Sequence, residues 1–111
     1  MTEHNLDDFD IAATTSAGER AKGLLGRDSL DDDAGLYIAP CKQVHTFGMR
    51  FPIDVAFVGR HGEVRHVVHA MAPKRIGRIV LSAKGALELR AGRLAELDVA
   101  KGDRLIWGAS R

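Results

Sequence analysis

The run from residue 51 to residue 58 constrains the fold more than any other part of the chain. It is almost wholly apolar, is rich in β-branched and aromatic residues, and carries a single carboxylate, Asp54. This composition predicts a strand, which the rest of the chain is expected to enclose. Alternation along a strand places Asp54 on one face with Ala56 and Val58, and the larger side chains on the other: Phe51, Ile53, Val55 and Phe57.

A carboxylate in such surroundings must be compensated, since burying an unpaired charge is costly. Asp54 either accepts backbone N–H bonds or pairs with Arg20, Arg27 or Arg50, or it is a site acid or ligand anchor with a shifted pKa. Arg50 lies on the same strand face but about 13 Å along the backbone. Direct pairing with Arg50 therefore requires a bend at Pro52 or a neighbouring strand.

The composition describes one domain with a full core: 111 residues, of which 45% are hydrophobic. Sixteen basic residues nearly balance fifteen carboxylates, which argues against nucleic acid as a partner. The local basic cluster Lys74, Arg75 and Arg78 is interpreted as a solvated loop.

One cysteine cannot form an internal disulfide, the acidic N-terminus shows no signal peptide, and no run reaches the ~20 apolar residues of a membrane helix. We expect a cytoplasmic protein with neither a nucleic-acid nor a membrane partner.

Polar residues 1–8 predict a flexible N-terminus, followed by a single domain over residues 9–111. Ser16 and Glu19 form a capping box, which predicts a helix to about Leu25, and a second short helix is predicted over residues 91–97. Strands are predicted at residues 9–13, 35–39, 51–58, 63–71, 79–81, 85–90 and 104–107, with turns at 59–62 and 101–103.

About six to seven short strands with one or two short helices, in no regular alternation, indicate a mostly β (α+β) fold. A parallel sheet with crossover helices does not fit this order. The prediction is a small antiparallel β-barrel or curled sheet, and closure of a barrel would remove exposed strand edges.

Cys41 and His45 are four residues apart, and their geometry is open. On a strand they share a face at a separation of about 13 Å, whereas in a turn, which Pro40 and Gln43 favour, they lie within reach as a metal pair or a thiolate–imidazole pair. The alternative is an ordinary buried cysteine. Further ligands are missing, so no metal site is predicted, and the cofactor is unknown.

Glu88 lies between two leucines, and it either pairs with Arg90 or a neighbouring strand or lines the same pocket as Asp54. The acidic run 31–33 lacks the alternating ligands and the glycine of a calcium loop. The sequence has no nucleophile elbow, phosphate-binding glycine loop or dinucleotide fingerprint.

Short motifs follow one another along nearly the whole chain in the order typical of one family. They are Glu19-Arg20, then the stretches 23–30, 35–38, 47–50, 52–57 and 87–92, and finally Gly102-Asp103. Their order and spacing over about residues 11–107 resemble the DUF192 family of bacterial and archaeal domains. The resemblance implies a compact, β-rich, barrel-like domain with no settled activity.

The chain departs from the common pattern of that family around its central motif. The common form has a tryptophan where this chain has Gly48, and a basic-Asn-Thr segment ahead of the proline, which is missing here. The chain resembles a branch with Cys41 and His45 ahead of the core motif, so no role of the Asn-Thr pair is carried over.

The sequence favours a ligand- or partner-binding module whose partner is a small molecule or a protein. The candidate binding residues are Cys41, His45, Arg50, Asp54 and Glu88. Two alternatives stay open: a Cys/His-dependent hydrolase or metal-dependent enzyme, and a purely structural or assembly domain. Exposed apolar residues around Ile76 and Ile79 are candidate oligomer contacts.

Overall fold

The computed structural model describes residues 1–15 and 28–108. Seven strands and one short helix lie in this part of the chain: β1 Glu3–Asn5, β2 Asp10–Thr14, β3 Ala34–Ile38, β4 Ile53–Val58, β5 Val64–Met71, β6 Gly85–Arg90, α1 Arg93–Glu96 and β7 Arg104–Ile106. The fold is therefore mostly β, as the sequence predicts. The helix predicted from the Ser16 capping box lies outside the described residues.

The strands form two sheets. The main sheet has five strands in the order β2-β3-β6-β4-β5, and β1 pairs with β7 in a separate two-stranded sheet. The β1–β7 and β2–β3 pairs are parallel, whereas the other pairs of the main sheet are antiparallel. These two sheets of the described chain form no closed barrel, so the predicted barrel or curled sheet is not confirmed.

Strand β4 lies inside the main sheet, and all of its residues are buried. Ile53, Val55 and Phe57 belong to one apolar cluster, on what we call the first face of the sheet. Ala56 and Val58 belong to a second cluster on the opposite side, the second face. The alternation predicted for this strand is therefore confirmed, and both faces are covered because neither contains enough polar surface to face water.

Strand β5 does not keep the simple alternation that its sequence predicts. Phe57 pairs with His66 and Val58 pairs with Val64, so one residue of β5 is extra at this point. A bulge of this kind moves the following side chains to the other face. Val64 packs on the second face and Val68 packs on the first, whereas the sequence places both on one face.

The strand predicted at residues 79–81 is wrong. The Val80 N–H donates to the Lys42 carbonyl at 2.7 Å, and the Leu81 carbonyl accepts from the Lys42 ammonium at 2.8 Å. The Val80 carbonyl accepts the Ala83 N–H at 3.0 Å, so these backbone groups bond to Lys42 and within their own loop and form no strand ladder. The second predicted helix forms as α1, which is shorter than the predicted range.

Residues 1–8 include strand β1 and the buried side chain of Leu6, which is 1% exposed. The Leu6 N–H donates to the Ile106 carbonyl at 2.7 Å, and His4 Nε2 lies 2.9 Å from Asp103 Oδ2. Flexibility of this terminus is a statement about motion and stays a prediction, while these contacts join it to β7.

Candidate functional site: two interlocked loops

Asp54 is fully buried, on the second face of the sheet. Its Oδ1 accepts the Ala70 N–H at 2.7 Å, and its Oδ2 accepts the Leu94 N–H at 2.9 Å. These contacts match the interpretation in which backbone N–H groups compensate the charge of Asp54.

Glu88 is also fully buried, but it does not meet Asp54. Glu88 lies opposite Leu36 and Val55, which belong to the first-face cluster. Leu94, which donates its N–H to Asp54, belongs instead to the second-face cluster. The two carboxylates therefore point to opposite sides of one sheet. Glu88 and Asp54 thus do not line one pocket, which was one of the two alternatives for Glu88.

Arg50 lies at the surface, with 64% of its side chain exposed. Its guanidinium is 3.5 Å from Asp28 Oδ1, in an ion pair whose carboxylate is 89% exposed. Exposed pairs of this kind stabilise a fold weakly. The structure thus separates Arg50 from Asp54.

Cys41 and His45 each contact the local backbone. The Cys41 Sγ donates to the Gln43 carbonyl at 3.2 Å, and His45 Nδ1 accepts the Phe47 N–H at 3.3 Å. No group of three or more His, Cys, Asp or Glu side chains that could hold a metal ion occurs within residues 1–15 and 28–108. The Cys/His enzyme stays a hypothesis of the sequence.

Cys41, His45 and Arg50 belong to one of two loops that pack side by side over the first face. We call residues 41–50 and 72–84 together the loop platform. Backbone bonds join the two loops in an irregular antiparallel arrangement: Gly77 N–H to Val44 O at 2.9 Å, Thr46 N–H to Arg75 O at 2.9 Å, and Val80 N–H to Lys42 O at 2.7 Å. The platform is therefore ordered without being part of a sheet.

Thr46 is the central buried polar residue of the platform, with no exposed surface. Its hydroxyl donates to the Ala72 carbonyl at 2.6 Å and accepts the Arg75 N–H at 2.9 Å. The threonine side chain thereby satisfies the Ala72 carbonyl and the Arg75 N–H of the opposite loop. Without it, these two buried groups would lack this hydrogen-bond partner.

Two further side chains fasten the edges of the platform. The Lys42 ammonium donates to the carbonyls of Leu81 and Ala83, both at 2.8 Å. The Gln43 amide donates to the Gly77 carbonyl at 2.8 Å. These bonds fix the backbone from which the exposed side chains project.

The outer surface of the platform is unusually apolar. Phe47 is 48% exposed, Ile76 65%, Ile79 56% and Leu81 77%. Between Phe47 and Ile76 lies a hollow of about 180 Å³, whose other lining residues are Gln43, Val44 and His45. Clustered exposed apolar side chains are typical of interaction surfaces.

The charges of the platform all have one sign. Its two loops contain six basic residues and no carboxylate, and all six are exposed: Lys42, Arg50, Lys74, Arg75, Arg78 and Lys84. Because the whole chain has a formal charge of only +1, the remainder of the molecule is net acidic. The positive charge of the molecule is thus concentrated on the platform.

Part of this surface is predicted from the sequence. Cys41, His45 and Arg50 lie in its first loop, and the basic cluster and Ile76 lie in its second. Phe47, Leu81, Thr46 and Lys42 are missed, because their importance depends on contacts between loops about thirty residues apart. A buried threonine in a loop carries no sequence signal of its own.

The fold and this surface define a small, mostly β domain with an exposed platform built from two loops. The chain belongs to the DUF192 family, described as Uncharacterized ACR, whose model matches residues 1–107. No curated protein matches the chain. Within the described residues, no helix is both long and apolar enough to cross a membrane.

Two solved structures share the fold. A protein of unknown function from Novosphingobium aromaticivorans has a TM-score of 0.76 and 24% identity, covering 86% of this chain and 73% of that one. A Sinorhizobium meliloti protein described as a "putative transcription regulator" has a TM-score of 0.71 and 22% identity, covering 85% of this chain and 78% of that one. At these identities the likeness concerns the fold alone.

Proposed function

We propose that this domain is a partner-binding module whose loop platform holds an acidic segment of another protein. An apolar side chain of that segment would occupy the hollow between Phe47 and Ile76. The observation that carries the proposal is this hollow, set among exposed apolar side chains on a backbone that is already fixed.

The shape of the surface favours a protein over a lipid bilayer. A hollow of about 180 Å³ receives a single anchoring side chain, which is how binding energy is concentrated in protein interfaces. A bilayer has no such projecting group. Because hydrogen bonds already hold the two loops in place, binding costs less conformational entropy than it would on flexible loops.

The charge of the surface selects the partner. Arg50 is paired with Asp28, and the Lys42 ammonium is bonded to two carbonyls of the platform. The positive charge of the platform, with Lys74, Arg75, Arg78 and Lys84 exposed, attracts an acidic segment and repels a basic one, which raises the association rate and the specificity. The proposal also includes a cytoplasmic location, supported by the single cysteine, which makes the fold independent of an oxidising compartment.

The test is selection from a displayed library of random peptides on the intact chain. We expect enriched peptides to combine carboxylates with one aromatic or aliphatic anchor. Ile76→Asp should weaken their binding about tenfold or more, whereas Ile106→Ser, a change at an exposed isoleucine outside the platform, should not.

A second pair of variants tests the charge. Arg78→Glu should weaken the selected peptides and reduce the dependence of binding on salt, while Lys101→Glu, outside the platform, should change neither. Enrichment of basic peptides, equal effects of Ile76→Asp and Ile106→Ser, or binding to phosphatidylserine vesicles without binding to peptides would overturn the proposal.

A further inference from the structure

A second concave site shares no lining residue with the loop platform. Its cavity of about 460 Å³ is bounded by the β4–β5 turn and by strand β7, and we call it the turn cavity. Its apolar wall consists of residues packed on the second-face cluster, among them Tyr37, Val58 and Trp107. Its volume falls within the range of small-molecule sites.

The floor of the turn cavity is aromatic. Tyr37 and Trp107 meet edge to face, with ring centroids 5.1 Å apart. Gly85 allows Tyr37 this position, since a Cβ at residue 85 would collide with the tyrosine hydroxyl. Burial, and then the field of Cys41, raises the pKa of Tyr37.

The rim of the turn cavity is basic. Arg60, His61 and Arg104 line it, and its lining includes no carboxylate. Arg60 makes no ion pair within the part of the chain that the structure describes. Arg104 has a loose contact of 3.7 Å with Glu3, and its buried Nε has no hydrogen-bond partner among the described residues.

Glu63, the nearest carboxylate in sequence, is already engaged elsewhere. It accepts the His61 N–H at 3.0 Å and the Arg65 guanidinium at 3.2 Å. Backbone hydrogen bonding, with Arg65 and His61 nearby, lowers the pKa of Glu63. The Arg60 guanidinium is therefore not neutralised by this neighbour.

A second cavity that Trp107 also lines has the opposite charge. Its volume is about 260 Å³, and it is lined by Asp7, Asp8 and Asp10 with Phe9. The tryptophan thus borders both a basic hollow and an acidic one. An anionic ligand is directed to the basic side because like charges repel it from the other.

From these observations we infer that the turn cavity is a binding site for a planar aromatic carboxylate, whose ring packs on Tyr37 and Trp107 and whose carboxylate is held by Arg60 and Arg104. Aromatic rings pack favourably edge to face, and a guanidinium binds a carboxylate with two parallel hydrogen bonds. The inference is independent of the loop platform.

The test uses the fluorescence of Trp107, the only tryptophan in the chain. Benzoate should produce a saturable change, whereas benzyl alcohol, which lacks the charge, and cyclohexanecarboxylate, which lacks the aromatic ring, should bind about fivefold or more weakly. Arg60→Gln should weaken benzoate binding by a similar factor, because it removes an exposed cation of the rim.

Two matched variants locate the site. Arg75→Gln removes an exposed arginine outside the cavity, and Asp8→Asn removes a charge from the acidic hollow; neither should weaken benzoate binding. An unsaturable response, equal binding of the three compounds, or an unchanged affinity in Arg60→Gln would overturn the inference.

Discussion

Ala70 donates its backbone N–H to Oδ1 of Asp54 at 2.7 Å, at the point where strand β5 departs from regular geometry. Ile53 pairs with Met71 and Val55 with Val68, so two residues of β5 face the single residue Asp54. Ala70 has a φ of 49°, in the left-handed region that residues other than glycine rarely adopt. The carboxylate therefore stabilises the bulge that the extra residue of β5 forms opposite it.

The same carboxylate also joins the sheet to helix α1. The residue before this helix, Gly92, has a φ of 90° and provides no side-chain cap. Asp54 Oδ2 instead accepts the Leu94 N–H, one of the amides that the first turn of a helix leaves without a partner. A single aspartate thus serves the bulge of β5 and the cap of α1.

Replacing Asp54 should destabilise the fold strongly. Asp54→Ala leaves two buried N–H groups without acceptors, and we expect the free energy of unfolding to fall by about 3 kcal/mol. Asp54→Asn retains one acceptor but turns a donor toward the second N–H, so a loss of about 2 kcal/mol is expected. Urea unfolding at neutral pH measures both values.

The exposed Asp31 provides the matched control for this pair. Asp31→Asn should change the free energy of unfolding by less than about 0.5 kcal/mol. Full stability of Asp54→Asn would contradict the prediction, because it would show that the two backbone bonds contribute little.

The platform should loosen when Lys42 loses its charge. Lys42→Met keeps the length of the side chain but removes the donor to the Leu81 and Ala83 carbonyls. We expect faster amide hydrogen exchange over residues 79–84 and a loss of about 1–2 kcal/mol, as for hydrogen bonds to charged groups. Lys84→Met is the control, and similar exchange in both variants would argue against a role for Lys42.

Thr46 should behave as the buried hydrogen-bonding centre of the platform. Thr46→Val preserves the shape but leaves the Ala72 carbonyl and the Arg75 N–H without this partner, so the expected loss is about 2 kcal/mol. Thr46→Ser keeps the hydroxyl and should lose about 1 kcal/mol or less, for the missing methyl. Thermal and urea unfolding distinguish the two, and equal losses would contradict the hydrogen-bonding role.

The central strand could be predicted because residues within the strand itself determine it. Its apolar run and period of two specify β4 and the distribution of its side chains on two faces, and they identify Asp54 as a carboxylate that needs partners. The identity of those partners could not be predicted. Ala70 and Leu94 donate backbone groups, and every residue except proline carries such a donor.

Strand β5 forms as predicted, but the assignment of its side chains to two faces by simple alternation is wrong, for a related reason. A period-two pattern assigns faces correctly only while the ladder is regular, and two bulges shift the faces of β5 without leaving glycine or proline in the strand. The joining of the two loops into one platform likewise could not be predicted, since it results from bonds between loops such as the one joining Thr46 to Arg75.

The stability of the fold should decrease as the pH falls below the ordinary pKa of histidine, and His66 should contribute to this decrease. Burial, followed by the fields of Arg78 and Lys101, lowers the pKa of His66 from its ordinary value of 6.5. Its ring also lies 6.2 Å from that of Phe57. The folded protein therefore resists protonation at this site, whereas the unfolded chain accepts a proton at about pH 6.5.

The sign follows from proton linkage. Above pH 6.5 the imidazole is neutral in both states and the stability is complete; below this value the unfolded state binds more protons, so the free energy of unfolding declines until the pH reaches the lowered pKa. His66→Gln should remove this part of the pH dependence, as measured by urea unfolding at a series of pH values. Arg78→Gln should reduce it by removing one of the repelling charges, and an NMR titration that placed the pKa of His66 above 6.5 in the folded protein would contradict the prediction.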